Sequence, residues 1–201
     1  MKHAVIVSHP NPDSFTMAVA RTYCAAVRAL GHEAELRDLY RLGFDPCLKA
    51  DEIPNPKGFA ARADVQAERA LIGDADVFVF VYPLWFNAPP AMLKGYIDRV
   101  LTMGFGYGPV AGGGNRPLLV GRKLISFTSS GAPADWLQRE GGWAAIRALV
   151  DGHVASVCGL TVLDHIHFGD VSPILPKTFV EQNLHQVEAV VGRLFSPGPV
   201  D

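Results

Sequence analysis

The chain is poor in cysteine: Cys24, Cys47 and Cys158 are the only three in 201 residues, and they are widely spaced. An odd number without a CxxC pair fits neither a disulfide framework nor a cysteine-based zinc site. We therefore expect reduced thiols, no metal site and a cytoplasmic protein. The apolar run at residues 4–7 is also shorter than that of a signal peptide.

Long hydrophobic runs and clusters of like charge are missing too. The longest apolar stretch, residues 77–86, is about half of the ~20 residues that a membrane helix needs. Eighteen Lys and Arg against 20 Asp and Glu give a formal net charge of −2. That balance provides no basic surface for nucleic acid or for an anionic membrane, so it argues against a dedicated DNA-binding protein.

Predicted strands and helices alternate along the sequence. Five short segments have the composition of strands: residues 4–7, 33–39, 77–82, 123–129 and 161–168. Five longer segments have helical periodicity: residues 14–30, 64–72, 91–103, 143–158 and 178–194. This alternation predicts an α/β fold, an open five-stranded parallel sheet with helices on both faces, in one domain over residues 1–195. Residues 196–201 contain two prolines and predict a flexible tail.

Ligands of such sheets bind beyond the carboxyl ends of the strands, and three chemically unusual loops lie there. The first, residues 8–16, leads into a helix N-terminus, where free backbone N–H groups and the helix dipole attract phosphate. The hydroxyls of Ser14 and Thr16 and the imidazole of His9 add donors. Neither GxGxxG nor a Walker sequence is present. Alternatively, Ser14 only caps its helix and His9 is a surface turn residue.

The other two loops together suit a flat ring as ligand. One provides an aromatic surface against its face, and the other provides polar groups for its edge. Residues 82–90 contain three prolines and the aromatic pair Trp85 and Phe86, which suits a planar ligand with heteroatoms at its edge. Alternatively, this aromatic pair fills the core. Residues 128–133 carry hydroxyls and a glycine that suit the polar edge of a ring, but a generic Ser/Gly turn has the same composition.

Five short motifs occur in a common order and spacing: His9-Pro10 with Ser14-Phe15, and residues 83–86, 90–100, 104–108 and 128–131. In these motifs the chain resembles the flavodoxin-like NAD(P)H:quinone oxidoreductase family, and the resemblance covers residues 5–195. It implies a flavodoxin-like fold and a homodimeric enzyme that carries FAD, or alternatively FMN. NAD(P)H would reduce the flavin, and a quinone or similar acceptor would then take the two electrons in a ping-pong cycle.

The resemblance also assigns roles to individual residues. The flavin phosphates and the adjoining dinucleotide portion would be held by His9, Ser14, Phe15 and Thr16. The ring would contact Pro83, Leu84, Trp85, Phe86 and Asn87. Its pyrimidine side would be flanked by Thr128, Ser129, Ser130 and Gly131. Phe105 and Tyr107 would close the substrate pocket of the partner subunit. Trp136 would also line a substrate pocket, and the catalytic residues would be Tyr107, Gly131 and Trp136.

The third loop departs from the family pattern, which places a tyrosine and then a histidine there to handle charge and a proton. Trp136 occupies the tyrosine position and Gly142 lies near the histidine position. The indole N–H of Trp136 donates a hydrogen bond but gives up no proton at useful pH. We therefore expect the backbone N–H groups of Ser130 and Gly131, with the Trp136 indole, to stabilise charge on the reduced ring.

Two other functions fit the same fold. One is an ancillary regulatory flavoprotein of a membrane transporter, which would add a membrane partner. The other is a flavodoxin-type electron carrier, which the small net charge of −2 argues against. His165 and His167 share one face of the last predicted strand, and we expect them to be structural rather than metal ligands.

Overall fold

The computed structural model of the chain describes residues 1–54 and 58–196. The strands are β1 (Lys2–Val7), β2 (Glu33–Asp38), β3 (Val77–Pro83), β4 (Tyr107–Pro109), β5 (Asn115–Pro117), β6 (Lys123–Ser129) and β7 (Thr161–Phe168). The α-helices are α1 (Phe15–Ala29), α2 (Ala63–Ile72), α3 (Ala91–Val100), α4 (Ala134–Arg139), α5 (Gly142–Arg147), α6 (Ala155–Cys158) and α7 (Lys177–Phe195). A 3₁₀ turn covers Ala50–Glu52, and Ala148–Val154 is π-helical.

Five parallel strands form the main sheet in the order β2-β1-β3-β6-β7. The predicted fold class is therefore confirmed. The strand order reverses between β1 and β3, and in open α/β sheets this point marks the ligand crevice. The loops that follow β1, β3, β6 and β7 leave the sheet at the same edge, because all of these strands run in one direction.

The core has two layers, one on each face of the sheet. Along β3 every residue is buried, and successive side chains point to opposite faces. The valines of β3 pack with α1 and α7, whereas Phe78, Phe80 and Tyr82 pack with α2, α3 and the helical segment 142–158. This is why β3 reads as a continuous apolar run, as strands covered on both faces do.

Several parts of the chain differ from the sequence expectations, and one of them is α4, which was not among the predicted helices. The glycine-rich segment after α3 forms an antiparallel hairpin of β4 and β5, which no strand pattern predicted because each strand has only three residues. The helix predicted over residues 143–158 is α5 and α6 joined by a π-helical stretch. The predicted tail lies almost wholly outside the described residues, and Ser196 is the C-cap of α7.

The irregular connection between β2 and α2 is fixed to the core by one buried arginine. Arg99 of α3, whose side chain is 1% exposed, donates to both carboxylate oxygens of Glu52 at 2.9–3.0 Å. It also donates to Asp64 at 2.8 Å and to the carbonyl of Asp45 at 2.6 Å.

No helix within residues 1–54 and 58–196 is long and apolar enough to cross a membrane.

Candidate active site

A cleft of about 600 Å³ opens at the carboxyl edge of the sheet, beside the switch point. This volume lies within the range of small-molecule and cofactor sites. Residues from the loops after β1, β3 and β6 line it, as predicted. A fourth wall, which the sequence did not indicate, comes from Val171, Ser172, Pro173 and Leu175 in the loop after β7.

The N-terminus of α1 forms the anion-accepting side of the cleft. Ser14 is the N-cap, and its side-chain oxygen accepts from the backbone N–H of Met17 at 3.2 Å. The backbone N–H groups of Phe15 and Thr16 have no acceptor within the described part of the chain. Two free donors at the positive end of a 15-residue helix suit a phosphate. The capping role and the ligand-facing position of Ser14 are therefore both present.

The first loop is held in place by Arg41, which the sequence did not single out. Its guanidinium donates to the carbonyls of His9 and Pro10, and it pairs with Asp38 at 3.0 Å. The imidazole Nδ1 of His9 accepts from the backbone N–H of Asn11 at 3.1 Å. Burial lowers the pKa of His9, and the nearby Arg41 lowers it further, whereas the hydrogen bond with the Asn11 backbone has a smaller effect than burial, in the opposite direction. Arg41 therefore fixes the position of the loop on the phosphate side of the cleft.

The second loop is a tight two-residue turn. Trp85 and Ala88 exchange both backbone hydrogen bonds at 3.1 Å, and the residues between them, Phe86 and Asn87, have φ values of +50° and +57°. This is the geometry of a type I′ turn, which asparagine tolerates but phenylalanine rarely adopts. The Phe86 side chain is fully exposed, so this residue does not fill the core. Trp85 is 43% exposed and lines the cleft.

The third loop corrects one of the expected donors. The backbone N–H of Ser130 donates to the carbonyl of Phe168 at 3.0 Å, because the ladder between β6 and β7 continues one residue beyond the strands. It is therefore not free to stabilise charge on a ligand. The N–H of Gly131 has no acceptor among the described residues and remains available. Leu84 donates from its backbone to Ser129 at 2.7 Å, which joins the second and third loops.

Most of the predicted cofactor residues line the cleft together. They are His9, Ser14, Phe15, Thr16, Pro83, Leu84, Trp85, Ser129, Ser130 and Gly131. Three predicted residues do not line it. Phe86 projects from the turn, and the side-chain amide of Asn87 donates to the carbonyl of Gly142 at 3.1 Å. The buried Thr128 hydroxyl lies within 3.1 Å of ring nitrogens of both His165 and His167.

The residues expected in the substrate pocket also lie outside the cleft of their own chain. Trp136 is 46% exposed on α4. The half-buried ring of Phe105 packs against Phe78, and the Arg69 guanidinium lies 5.6 Å from its centroid. Tyr107 lines a second, smaller cleft of about 250 Å³ between α3 and the helical segment 142–158, where its hydroxyl lies 3.1 Å from that of Thr102.

His165 and His167 point to the same face of β7, as predicted, and they are part of a hydrogen-bonded chain. His165 lies 2.9 Å from the carboxylate of Asp151, and His167 lies 3.0 Å from the hydroxyl of Ser130. Among the described residues, no group of three or more His, Cys, Asp or Glu side chains is arranged to hold a metal ion.

A sequence model of the flavodoxin-like fold family matches residues 1–191. The chain belongs to this family. An uncharacterized NAD(P)H oxidoreductase of Haemophilus influenzae is 33% identical over 178 residues, which cover 88% of each chain. NAD(P)H dehydrogenase [quinone] 1 of Cavia porcellus is 26% identical over 80% of this chain and 65% of its own length. These matches confirm the resemblance identified from the motifs.

A solved structure extends the similarity over the whole chain. The NAD(P)H:quinone oxidoreductase from Methanothermobacter marburgensis superposes with a TM-score of 0.84, at 27% identity, over 98% of this chain and 99% of its own. The similarity in fold therefore extends over nearly the full length of both chains.

Proposed function

We propose that this chain is a flavin-dependent NAD(P)H:quinone oxidoreductase that moves two electrons from NAD(P)H to a quinone or similar acceptor. The observation that carries the proposal is the cleft at the switch point, which combines free N–H donors on one side with an aromatic wall on the other. The names of the relatives, NAD(P)H oxidoreductases and quinone dehydrogenases, support the same activity.

The residues present fit a flavin. The free N–H groups of Phe15 and Thr16, which follow a loop that Arg41 holds in place, suit its phosphates. The indole of Trp85 and the rigid Pro83-Leu84 backbone suit the ring, and the N–H of Gly131 suits its polar edge. When bound, the flavin supplies the hydride chemistry, accepting two electrons from NAD(P)H and passing them on. The protein orients the ring and holds fixed donors near its charge.

FAD is the flavin that the family resemblance favours, with FMN as the alternative. The test is to release the flavin from the purified protein by heat and to identify it chromatographically. The apoprotein is then titrated with FAD and with FMN under the same conditions. FAD that is retained or rebound supports the proposal. Preferential binding of FMN would make FMN the assigned cofactor. A protein that binds neither flavin contradicts the proposed function.

A homodimer with shared active sites forms the second part of the proposal, because neither Tyr107 nor Trp136 lines the main cleft of its own chain. Mixing Tyr107→Ala protein with Trp85→Ala protein should restore part of the activity, since heterodimers would contain one site without either substitution. A monomer in sedimentation, or no recovery on mixing, would contradict shared sites.

The regulatory and carrier alternatives predict different results. If this chain regulates a transporter, the immobilised protein should retain a membrane protein from a membrane fraction. An electron carrier would pass through a stable one-electron stage during titration with dithionite. The cysteines are unpaired, which supports the cytoplasmic location expected for a free-standing reductase.

A further inference from the structure

Five side chains form a continuous hydrogen-bonded chain from the π-helical segment to the main cleft. Asp151 lies 2.9 Å from His165 Nδ1, and His165 Nε2 lies 3.1 Å from the hydroxyl of Thr128. The same hydroxyl lies 2.9 Å from His167 Nδ1, and His167 Nε2 lies 3.0 Å from the hydroxyl of Ser130. Ser130 lines the cleft, so this series of hydrogen bonds ends where a ligand would lie.

The fold places these groups from three separate segments. Thr128 and His167 are register partners on β6 and β7, and His165 is two residues earlier on the same face of β7. Asp151 reaches His165 from the π-helical stretch, a local geometry that often occurs at functional sites. The indole of Trp143 covers both imidazoles, with ring centroids at 4.8 and 5.5 Å.

The Thr128 hydroxyl also lies 3.4 Å from the carbonyl of Ile166. When this hydroxyl donates instead to one of the closer ring nitrogens, at 2.9 or 3.1 Å, two self-consistent arrangements of protons remain. In the first, His165 carries both ring protons and donates to Asp151 and Thr128. Thr128 then donates to His167 Nδ1, His167 Nε2–H donates to Ser130, and Ser130 donates to the carbonyl of Ala132, 2.8 Å away. In the second, His165 keeps only its Nδ1 proton, and all three bonds between His165 and Ser130 run in the opposite direction. The Ser130 hydroxyl then donates to His167 Nε2 instead of the carbonyl of Ala132. The two arrangements differ by one proton.

We propose that the chain from Asp151 to Ser130 is a proton store that delivers one proton to the cleft through the Ser130 hydroxyl. Delivery begins when the Ser130 hydroxyl turns from the carbonyl of Ala132 to the group bound against it in the cleft. Four coupled shifts follow: the Ser130 hydroxyl proton passes to that group, and Ser130 takes the Nε2 proton of His167. His167 takes the hydroxyl proton of Thr128 on Nδ1, and Thr128 takes the Nε2 proton of His165. One proton leaves, no electron moves, and His165 ends neutral. Water in the open cleft reloads the store by the reverse path.

The proposal rests on the proposed function, because reduction of a quinone to a quinol by NAD(P)H consumes one proton. In both arrangements His167 stays neutral and changes only its tautomer. This agrees with a pKa lowered to about 4 by burial and by the neighbouring His165. Other titratable or charged groups face these hydrogen-bonded side chains. Arg147 pairs with Asp151, and Asp164 accepts from the His165 backbone N–H and pairs with Arg193. Tyr82 is buried, which raises its pKa, and Asp151 raises that pKa further.

The first test needs no cofactor. In flavin-free protein labelled with ¹⁵N-histidine, the ring nitrogen shifts report the charge and tautomer of each imidazole across a pH titration. We expect His165 to lose its charge and His167 to change from the Nε2–H to the Nδ1–H tautomer at the same pH. In Thr128→Val protein the tautomer of His167 should no longer follow His165, whereas Thr128→Ser should restore the coupling.

Ser126→Ala is the matched control. Ser126 lies on the same face of β6, two residues before Thr128, and is fully buried, and its hydroxyl has no hydrogen-bond partner within the described residues. This variant should keep the coupled titration. A His167 tautomer that stays fixed while His165 titrates in the wild-type protein would overturn the proposal. So would a coupling that survives in Thr128→Val.

The second test measures delivery in the flavin-loaded enzyme. Oxidation of the reduced enzyme by a benzoquinone should slow by roughly 10²-fold in Thr128→Val, recover in Thr128→Ser and stay within twofold in Ser126→Ala. Equal rates in Thr128→Val and Ser126→Ala would refute proton delivery while leaving the oxidoreductase function intact. A wild-type protein that takes up no flavin would refute the proposed function, and proton delivery to a quinone with it. The ¹⁵N shifts of the histidine rings in the flavin-free protein would still decide whether the stored proton exists.

Discussion

Replacing Ser14 by aspartate separates the two roles that the structure gives this residue. Its side chain caps α1 through the 3.2 Å bond from Met17, and it also lines the phosphate side of the cleft. Aspartate caps a helix about as well as serine, so the apoprotein should keep its stability. The added charge should repel a bound phosphate, because two unit charges roughly 8 Å apart repel by about 2 kcal/mol at an effective dielectric constant of about 20.

Flavin affinity should therefore fall roughly thirtyfold in Ser14→Asp, which is about 2 kcal/mol at 25 °C. Ser14→Ala is the matched variant with the opposite pattern. It loses the cap, so the free energy of unfolding should fall by about 1 kcal/mol. Flavin affinity should fall by less than in Ser14→Asp, because a neutral donor is lost and no negative charge is added. Fluorescence titration with flavin and urea denaturation of the apoproteins measure the two effects. Wild-type flavin affinity in Ser14→Asp would refute the placement of the phosphates at α1.

Three further predictions concern stability and are checked by urea denaturation. Arg99→Met should cost about 3–5 kcal/mol, because it leaves the carboxylate of Glu52, 3% exposed, buried without its partner; a loss below 1 kcal/mol would contradict this. Gly95→Ala should cost about 1–3 kcal/mol, since a Cβ there would lie 2.1 Å from the carbonyl oxygen of Pro46, whereas Gly152→Ala meets nothing closer than 3.6 Å and should cost less than 1 kcal/mol. Burial lowers the pKa of His3 to about 4, so the unfolded chain takes up the proton first as the pH falls below 6.5; His3 should therefore remove about 2 kcal/mol of stability between pH 7.5 and 5, and His3→Gln should flatten this part of the pH profile.

The fold could be predicted because its signals are local. The buried strands are continuous apolar runs, and Ser14 and Gly31 mark the ends of α1. The β4–β5 hairpin could not be predicted, since three-residue strands rich in glycine and proline carry no alternation. The π-helical stretch was also missed, because its side-chain pattern resembles that of an ordinary helix until packing is known.

The site was predicted in part for a similar reason. Loops that follow parallel strands meet at one edge of the sheet, so the grouping of His9, Trp85 and Gly131 followed from strand order. Contacts set by the strand register could not be derived in this way. The occupied N–H of Ser130 and the approach of Asp151 to His165 depend on how β6, β7 and the π-helical stretch pack.

The most direct test of the central claim is anaerobic rapid mixing of the flavin-loaded protein with NADPH, and with NADH in parallel, followed by a benzoquinone. Flavin absorbance should bleach in a single two-electron phase on addition of the nicotinamide and return on addition of the quinone. Steady-state rates should give parallel double-reciprocal lines, as a ping-pong cycle at one cleft requires. A loaded flavin that neither nucleotide bleaches would contradict the assignment of this chain as an NAD(P)H:quinone oxidoreductase.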